Sequence, residues 1–175
     1  IVMTRSVRSL SQSALLIALG IVIPMFMPKI QIEPASYTLA SHVPVFISMF
    51  LSPSIAIAVV LGTALGFFMI SPAVIALRAL SHIVFAYIGS LYLQKKNRKE
   101  KVLRDPKLFF KFNLIIAIIH AVVEAFVVFA FYRLSPVEHM TNIFFYLFVL
   151  VGIGGLIHSL IDFYLAKIVL DRMAL

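Results

Sequence analysis

Residues 71–93 read SPAVIALRALSHIVFAYIGSLYL, a run long enough to span a bilayer, yet Arg78 and His82 stand among its apolar side chains. A helix puts residues four apart on one face, so these two point the same way. A cation at membrane depth costs at least about 2.5–3.5 kcal/mol unless it faces protein or water. The Arg78/His82 face is therefore expected to look into a helical bundle, with the rest of the chain as wall and lid around it.

Composition agrees. Of 175 residues, 62% are hydrophobic and 13% charged, and the mean hydropathy is +1.08. These values lie far from the soluble range and indicate an all-α polytopic membrane protein. At about 20 residues per span, one domain over residues 1–175 has room for about five to seven helices and for no separate soluble module. With no cysteine, disulfide and thiolate chemistry are excluded. The apolar run after Arg5 and Arg8 has no small-residue cleavage site and ends in Pro24 and Pro28, so it is read as a mature helix rather than a signal peptide.

Six spans are expected. The first runs from about Leu10 to Met27, with Ala14 and Ala18 four apart and Gly20 close by, a spacing that lets another helix approach closely. Lys29–Ser41 is a decorated connection containing Gln31, Glu33, Ser36, Tyr37, Thr38 and Ser41, placed to fold over a site from outside. The second helix, about Ala40–Leu51, carries His42 and Pro44 and is short for a span. The third, Ser54–Ile70, offers Gly62, Thr63, Ala64 and Gly66 for packing. The opening stretch is the fourth. Gln94–Lys111 follows as a charged loop, then a fifth helix over Phe112–Tyr132, a polar loop over Arg133–Thr141, and a sixth helix from Asn142 to about Val169, interrupted by Gly152, Gly154 and Gly155.

The net charge of +8 is explained by topology rather than by nucleic acid. Twelve Lys/Arg fall on the side shared by both termini and the Gln94–Lys111 loop, against Lys29 and Arg133 on the other. That split places both termini in the cytoplasm and the Lys29–Ser41 connection outside.

Three helices carry ionisable pairs at four-residue spacing: Arg78/His82, His120/Glu124 and His158/Asp162. At about 1.5 Å per residue, Arg78 lies roughly 9 Å below Pro72 and Glu124 roughly 12 Å below Tyr132. The two can pair, or bracket a ligand. His82 and His120 can contact that ligand or simply hydrogen-bond a neighbouring helix. Asp162, roughly 30 Å along its helix, is expected near the cytoplasmic end and off the site, with His158 intermediate. A metal centre is disfavoured: there is no HExxH and no cysteine, and the two histidine–acid pairs are expected at different depths. The chain has no P-loop and cannot itself hydrolyse ATP.

The chain resembles the substrate-binding membrane subunits, or S components, of energy-coupling factor transporters, which take up vitamins in bacteria. The resemblance covers essentially the whole chain. It rests on size, six expected helices with both termini inside, the pattern Ala14-Leu-Leu-Ile-Ala18, the segment Glu33-Pro-Ala-Ser-Tyr-Thr-Leu-Ala-Ser-His42 and the run Leu77-Arg-Ala-Leu-Ser-His82. It implies a multi-pass protein of the bacterial cell membrane with no catalysis or cofactor of its own. Ala14 and Ala18 would dock on a transmembrane scaffold subunit powered by two ATPases. Substrate contacts would fall on Glu33, Tyr37, His42, Arg78, His82, His120 and Glu124. Arg78 suits a carboxylate such as niacin or pantothenate, whereas Glu124 and the histidines suit a hydroxymethylpyrimidine or pyridoxine ring. The competing readings are a self-sufficient proton-coupled carrier and a small metal-dependent membrane enzyme.

Overall fold

The computed structural model describes residues 2–134 and 142–173. Glu138 and His139, in the expected polar loop, lie outside the described residues. Five helical segments are long and apolar enough to cross a membrane: Val7–Phe26, Pro53–Ile70, Ala73–Leu93, Pro106–Leu134 and Phe145–Arg172. The elements in chain order are α1 (Val2–Phe26), β1 (Lys29–Ile32), β2 (Ala35–Thr38), α2 (Val43–Leu51), α3 (Pro53–Ile70), α4 (Ala73–Ser81), α5 (Ile83–Leu93), α6 (Arg98–Arg104), α7 (Pro106–Leu134), a π-helical stretch (Phe145–Gly154) and α8 (Gly155–Arg172).

Three differences from the sequence reading have local causes. Lys29–Thr38 is an antiparallel β-hairpin, not an irregular loop, with Ile32 paired to Ala35 across a two-residue turn of Glu33 and Pro34. KIQI alternates polar and apolar residues with the period of a strand, although all four side chains are exposed. The helix expected over Ala40–Leu51 has only nine residues, roughly 14 Å of rise against about 30 Å of hydrocarbon, and Pro44–Phe50 are all buried. It is an internal half-helix. The charged Gln94–Lys111 segment is itself largely helical: α6 occupies its centre, and α7 starts at Pro106, where the Asp105 carboxylate accepts the backbone N–H of Lys107 at 2.9 Å.

The span Ala73–Leu93 is interrupted at His82, whose N–H reaches the Ala79 carbonyl three residues back. Ser81 Oγ donates to the Arg78 carbonyl at 2.7 Å, an acceptor the interrupted ladder no longer uses. The interruption thus falls at the turn that carries Arg78 and His82.

Two apolar clusters hold the bundle together. One gathers Phe46, Phe50, Phe85, Phe109, Phe112 and Phe163 and reaches Val102 of α6, on the side of the basic loop. The other gathers Phe67, Val74, Ile75, Val128 and Val151. Large side chains such as Phe68 and Phe126 are two-thirds exposed, as befits a surface solvated by lipid.

α1 packs chiefly on α3. Its inward face is Leu16, Gly20 and Pro24, all buried, whereas Ala14 and Ala18 lie on the exposed face. A Cβ on Gly66 would stand 2.8 Å from the Ile21 Cα of α1, so glycine is what allows the two backbones to approach. Gly66→Ala should therefore destabilise the detergent-purified protein by roughly 1–3 kcal/mol, read as a lower thermal unfolding midpoint. An unchanged midpoint would mean that α1 is free to move aside.

Candidate functional site

Between the two apolar clusters lies a polar centre built by α2, α4, α7 and α8 under the hairpin. Arg78 is 4% exposed and Glu124 2%. The guanidinium donates from Nη2 to Glu124 Oε2 at 2.7 Å and from Nη1 to the Pro34 carbonyl at 2.7 Å. The sequence reading expected this cation to look inward, and the geometry places it so. Helical rise put Arg78 and Glu124 at matching depth, and they form an ion pair. The second acceptor, a backbone carbonyl at the hairpin tip, could not be read from side chains.

The other oxygen of Glu124 meets two imidazoles. His82 Nε2 lies 2.9 Å from Oε1 and His120 Nε2 lies 3.2 Å from it. The two nitrogens are themselves 3.1 Å apart. One carboxylate therefore gathers a guanidinium from α4 and an imidazole from each of two helices, which offsets the cost of burying it.

His42 stands at the centre of the histidines. Its ring centroid lies 4.8 Å from that of His82, 4.7 Å from His120 and 4.9 Å from His158. Asp162 holds it there, its carboxylate accepting from His42 Nδ1 at 2.9 Å, from the His42 backbone N–H at 3.0 Å and from the Ala40 N–H at 3.0 Å. The last two are free donors at the start of α2, where a negative charge is favoured by the helix dipole. Ala40 takes a left-handed backbone (φ 64°) as the chain turns from the hairpin into α2.

This geometry corrects two expectations. Asp162 is not off the site at a cytoplasmic end, and His158 is not a separate pair with it: both join the cluster through His42. The count from Asn142 follows a single helix to Asp162, whereas residues 39–42 descend from the hairpin to meet it. The intervening π-helical stretch, bonded i→i+5, also winds wider and shorter than an α-helix, so about 30 Å overstated the distance. The objection to metal chemistry that the histidine–acid pairs lie at different depths falls with it.

The hairpin covers the centre on the side away from the basic segment. Tyr37 donates to the Leu150 carbonyl and meets the His158 ring edge-on at 5.8 Å. Burial raises the Tyr37 pKa, which keeps its hydroxyl a donor. A Cβ on Gly154 would overlap the Tyr37 hydroxyl, so that glycine makes the room the tyrosine occupies. Glu33, at the hairpin turn, is exposed and stands apart from the cluster. Of the expected contact residues, Tyr37, His42, Arg78, His82, His120 and Glu124 are brought together and Glu33 is not. Pro34, His158 and Asp162 are the residues that reading missed; His158 and Asp162 had shown the same four-residue spacing as the others.

Below, Phe85 packs 5.3 Å from His82 and 4.9 Å from His120, and Phe46 stacks on Phe163 at 4.4 Å. This aromatic floor seals the centre from the basic-loop side. Within it remains a cavity of about 20 Å³ lined by Ser36, Arg78, His82, His120, Glu124 and His158, among others, room for one water. Arg78 Nε, His82 Nδ1, His120 Nδ1 and Ser36 Oγ, all buried, have no hydrogen-bond partner among the described residues. Polar atoms left in that state ask for a ligand or water.

No family model and no solved structure matches the chain. A curated protein does: the niacin transporter NiaX of Lactococcus lactis subsp. cremoris (strain MG1363) is 46% identical over 162 residues, 91% of this chain and 72% of the relative.

Removing the Asp162 carboxylate leaves three donors without their acceptor. Asp162→Ala should destabilise the protein by about 1.5–3 kcal/mol or more, measured by thermal unfolding in detergent. A neutral result would mean that water replaces the carboxylate.

Proposed function

The chain belongs to the S components of energy-coupling factor vitamin transporters, and from that premise we propose that it captures niacin at the outer face of the membrane and delivers it by docking on a scaffold subunit driven by two ATPases. The observation that carries the substrate reading is Arg78, a buried guanidinium whose Nη1 bonds the Pro34 carbonyl at the hairpin tip. A planar carboxylate matches its fork, and such charge-assisted bonds are roughly twice as strong as neutral ones. A pyridine nitrogen can accept an N–H from the histidine cluster, and its ring suits the aromatic surroundings. Of the vitamins weighed from sequence, niacin satisfies both ends, and the relative's name points to the same molecule.

In the closed form the Pro34 carbonyl takes one of the guanidinium's bonds. The remaining cavity is far smaller than the roughly 300–1,000 Å³ of ordinary small-molecule pockets. Entry of the vitamin on this reading moves the hairpin outward and exchanges a neutral acceptor on Arg78 for an anionic one. Tyr37, His42, His82, His120 and Glu124 then line the ligand, while Glu33 stays at the rim.

Six crossings with both termini in the cytoplasm suit this role. On this reading α2 makes the remaining crossing together with residues 29–42: the turn leading into it meets Asp162 through Ala40, and its last carbonyl, on Leu51, accepts from Lys99 of the basic segment at 3.4 Å. The exposed Ala14/Ala18 face of α1 is unused by the chain's own packing and is assigned to the scaffold.

Two variants separate capture from delivery. Arg78→Ala should weaken niacin binding by roughly 1.5–3 kcal/mol in calorimetric titration of the purified protein. Loss of thermal stability with unchanged affinity would leave the arginine a purely structural partner of Glu124. Ala14→Leu combined with Ala18→Leu should abolish uptake in cells carrying the scaffold and ATPases while binding stays intact. Uptake by the chain alone in liposomes under a pH gradient would overturn the assignment in favour of a secondary carrier.

A further inference from the structure

Three donor atoms in the polar centre lie as close together as ligands on one ion. His82 Nε2, His120 Nε2 and Glu124 Oε1 form a triangle with edges of 2.9, 3.1 and 3.2 Å. Bonds of about 2.0–2.1 Å to nitrogen and oxygen place adjacent ligands about 2.9 Å apart at right angles and about 3.4 Å apart in a tetrahedron. All three edges fall in that interval. His42 adds a further donor: one nitrogen from each of His42, His82 and His120 lie within 4.8 Å of one another, and all three residues are buried.

The groups that orient metal ligands are present too. Arg78 holds Glu124 Oε2 and so turns Oε1 towards the imidazoles. Asp162 accepts from His42 Nδ1, which leaves His42 Nε2 as the bare acceptor, the carboxylate–histidine arrangement found behind many metal ligands. Without an ion, one Nε2–H reaches Oε1 and a single proton joins the two Nε2 atoms, so the three close atoms share two hydrogen bonds. A cation bound at the centre of the triangle takes all three as ligands.

Charge points the same way. Glu124 and Asp162 carry two negative charges against the single positive charge of Arg78, so with neutral imidazoles the buried centre is one charge negative. A divalent ion makes it one charge positive, ready for a monoanion. The donor set is nitrogen-rich with one carboxylate, which suits zinc, cobalt or nickel rather than magnesium or calcium.

We propose that His82, His120 and Glu124, with His42 as the fourth donor, form a site for one divalent transition-metal ion. The site stands on its own geometry and does not depend on which vitamin is carried.

The test uses full-length protein without a histidine tag, stripped with chelator and titrated with cobalt(II) in detergent, no vitamin present. Saturable binding of one ion per chain, with visible ligand-field absorbance bleached by zinc and a raised thermal midpoint, is the expected result. His82→Ala and His120→Ala should each weaken binding by at least about 10-fold. Absence of saturable cobalt binding by the wild-type protein overturns the proposal, even where the variants fail to fold. So does binding unchanged in both variants, or binding lost in His139→Ala, which would place the ion elsewhere. Niacin affinity is measured separately on metal-free protein, so failure of the metal site and failure of the vitamin reading give different results.

Discussion

Everything in the centre of this protein follows from the burial of Glu124. A lone carboxylate at that depth would cost several kcal/mol. The fold answers with donors from separate parts of the chain: the Arg78 guanidinium on one oxygen, His82 and His120 on the other. The same bonds fix how α4 and α7 lie against each other and where the interrupted turn at His82 must fall. Removing Arg78 would leave Glu124 Oε2 without its partner, and removing Glu124 would leave Arg78 only the Pro34 carbonyl, so neither side chain can be exchanged without disturbing the other.

Asp162 does for α2 what Glu124 does for α4. A nine-residue helix is marginal by itself, because its nucleation cost is spread over few hydrogen bonds. Here the N–H groups of Ala40 and His42, just ahead of it, end on a carboxylate from α8, and its apolar body is buried among phenylalanines. His42 closes the circuit, bound to Asp162 through Nδ1 and packed against His82 and His120. The two carboxylates therefore belong to one network running from the hairpin to α8. The side chains proposed to meet the ligand are thus the same ones that hold α2, α4, α7 and α8 together.

Much of this was legible in the sequence, and the failures have physical causes. Arg78 and Glu124 announced themselves because a charge in an apolar run must face inward, and because the α-helical rise converts residue counts into depth. Asp162 obeyed the same spacing rule, yet its partner is a backbone turn that descends from the hairpin, which no count along α8 can reveal. Ala14, Ala18 and Gly20 all read as small residues on one helix. Only packing sorts them: Gly20 faces α3 and the alanines face outward. The hairpin was hidden by its length, since each strand has four residues, too few for an alternation to stand out from a polar loop. The Pro34 carbonyl has no sequence signature at all, being main chain.

That carbonyl decides which part of the closed form can yield. Arg78 has two partners of unequal kind: an anionic carboxylate anchored in α7 and a neutral backbone oxygen at the tip of a hairpin whose first strand is exposed throughout. An incoming carboxylate competes poorly with the first and well with the second. The other described hydrogen bond that ties the hairpin down from a side chain, Tyr37 to the Leu150 carbonyl, ends on a π-helical stretch whose wider winding sets its carbonyls apart from the regular ladder. Displacement of the hairpin thus sacrifices two neutral-acceptor bonds and leaves the Arg78–Glu124 and His42–Asp162 pairs intact. On the proposed reading the paired charges stay in place while the hairpin over them moves.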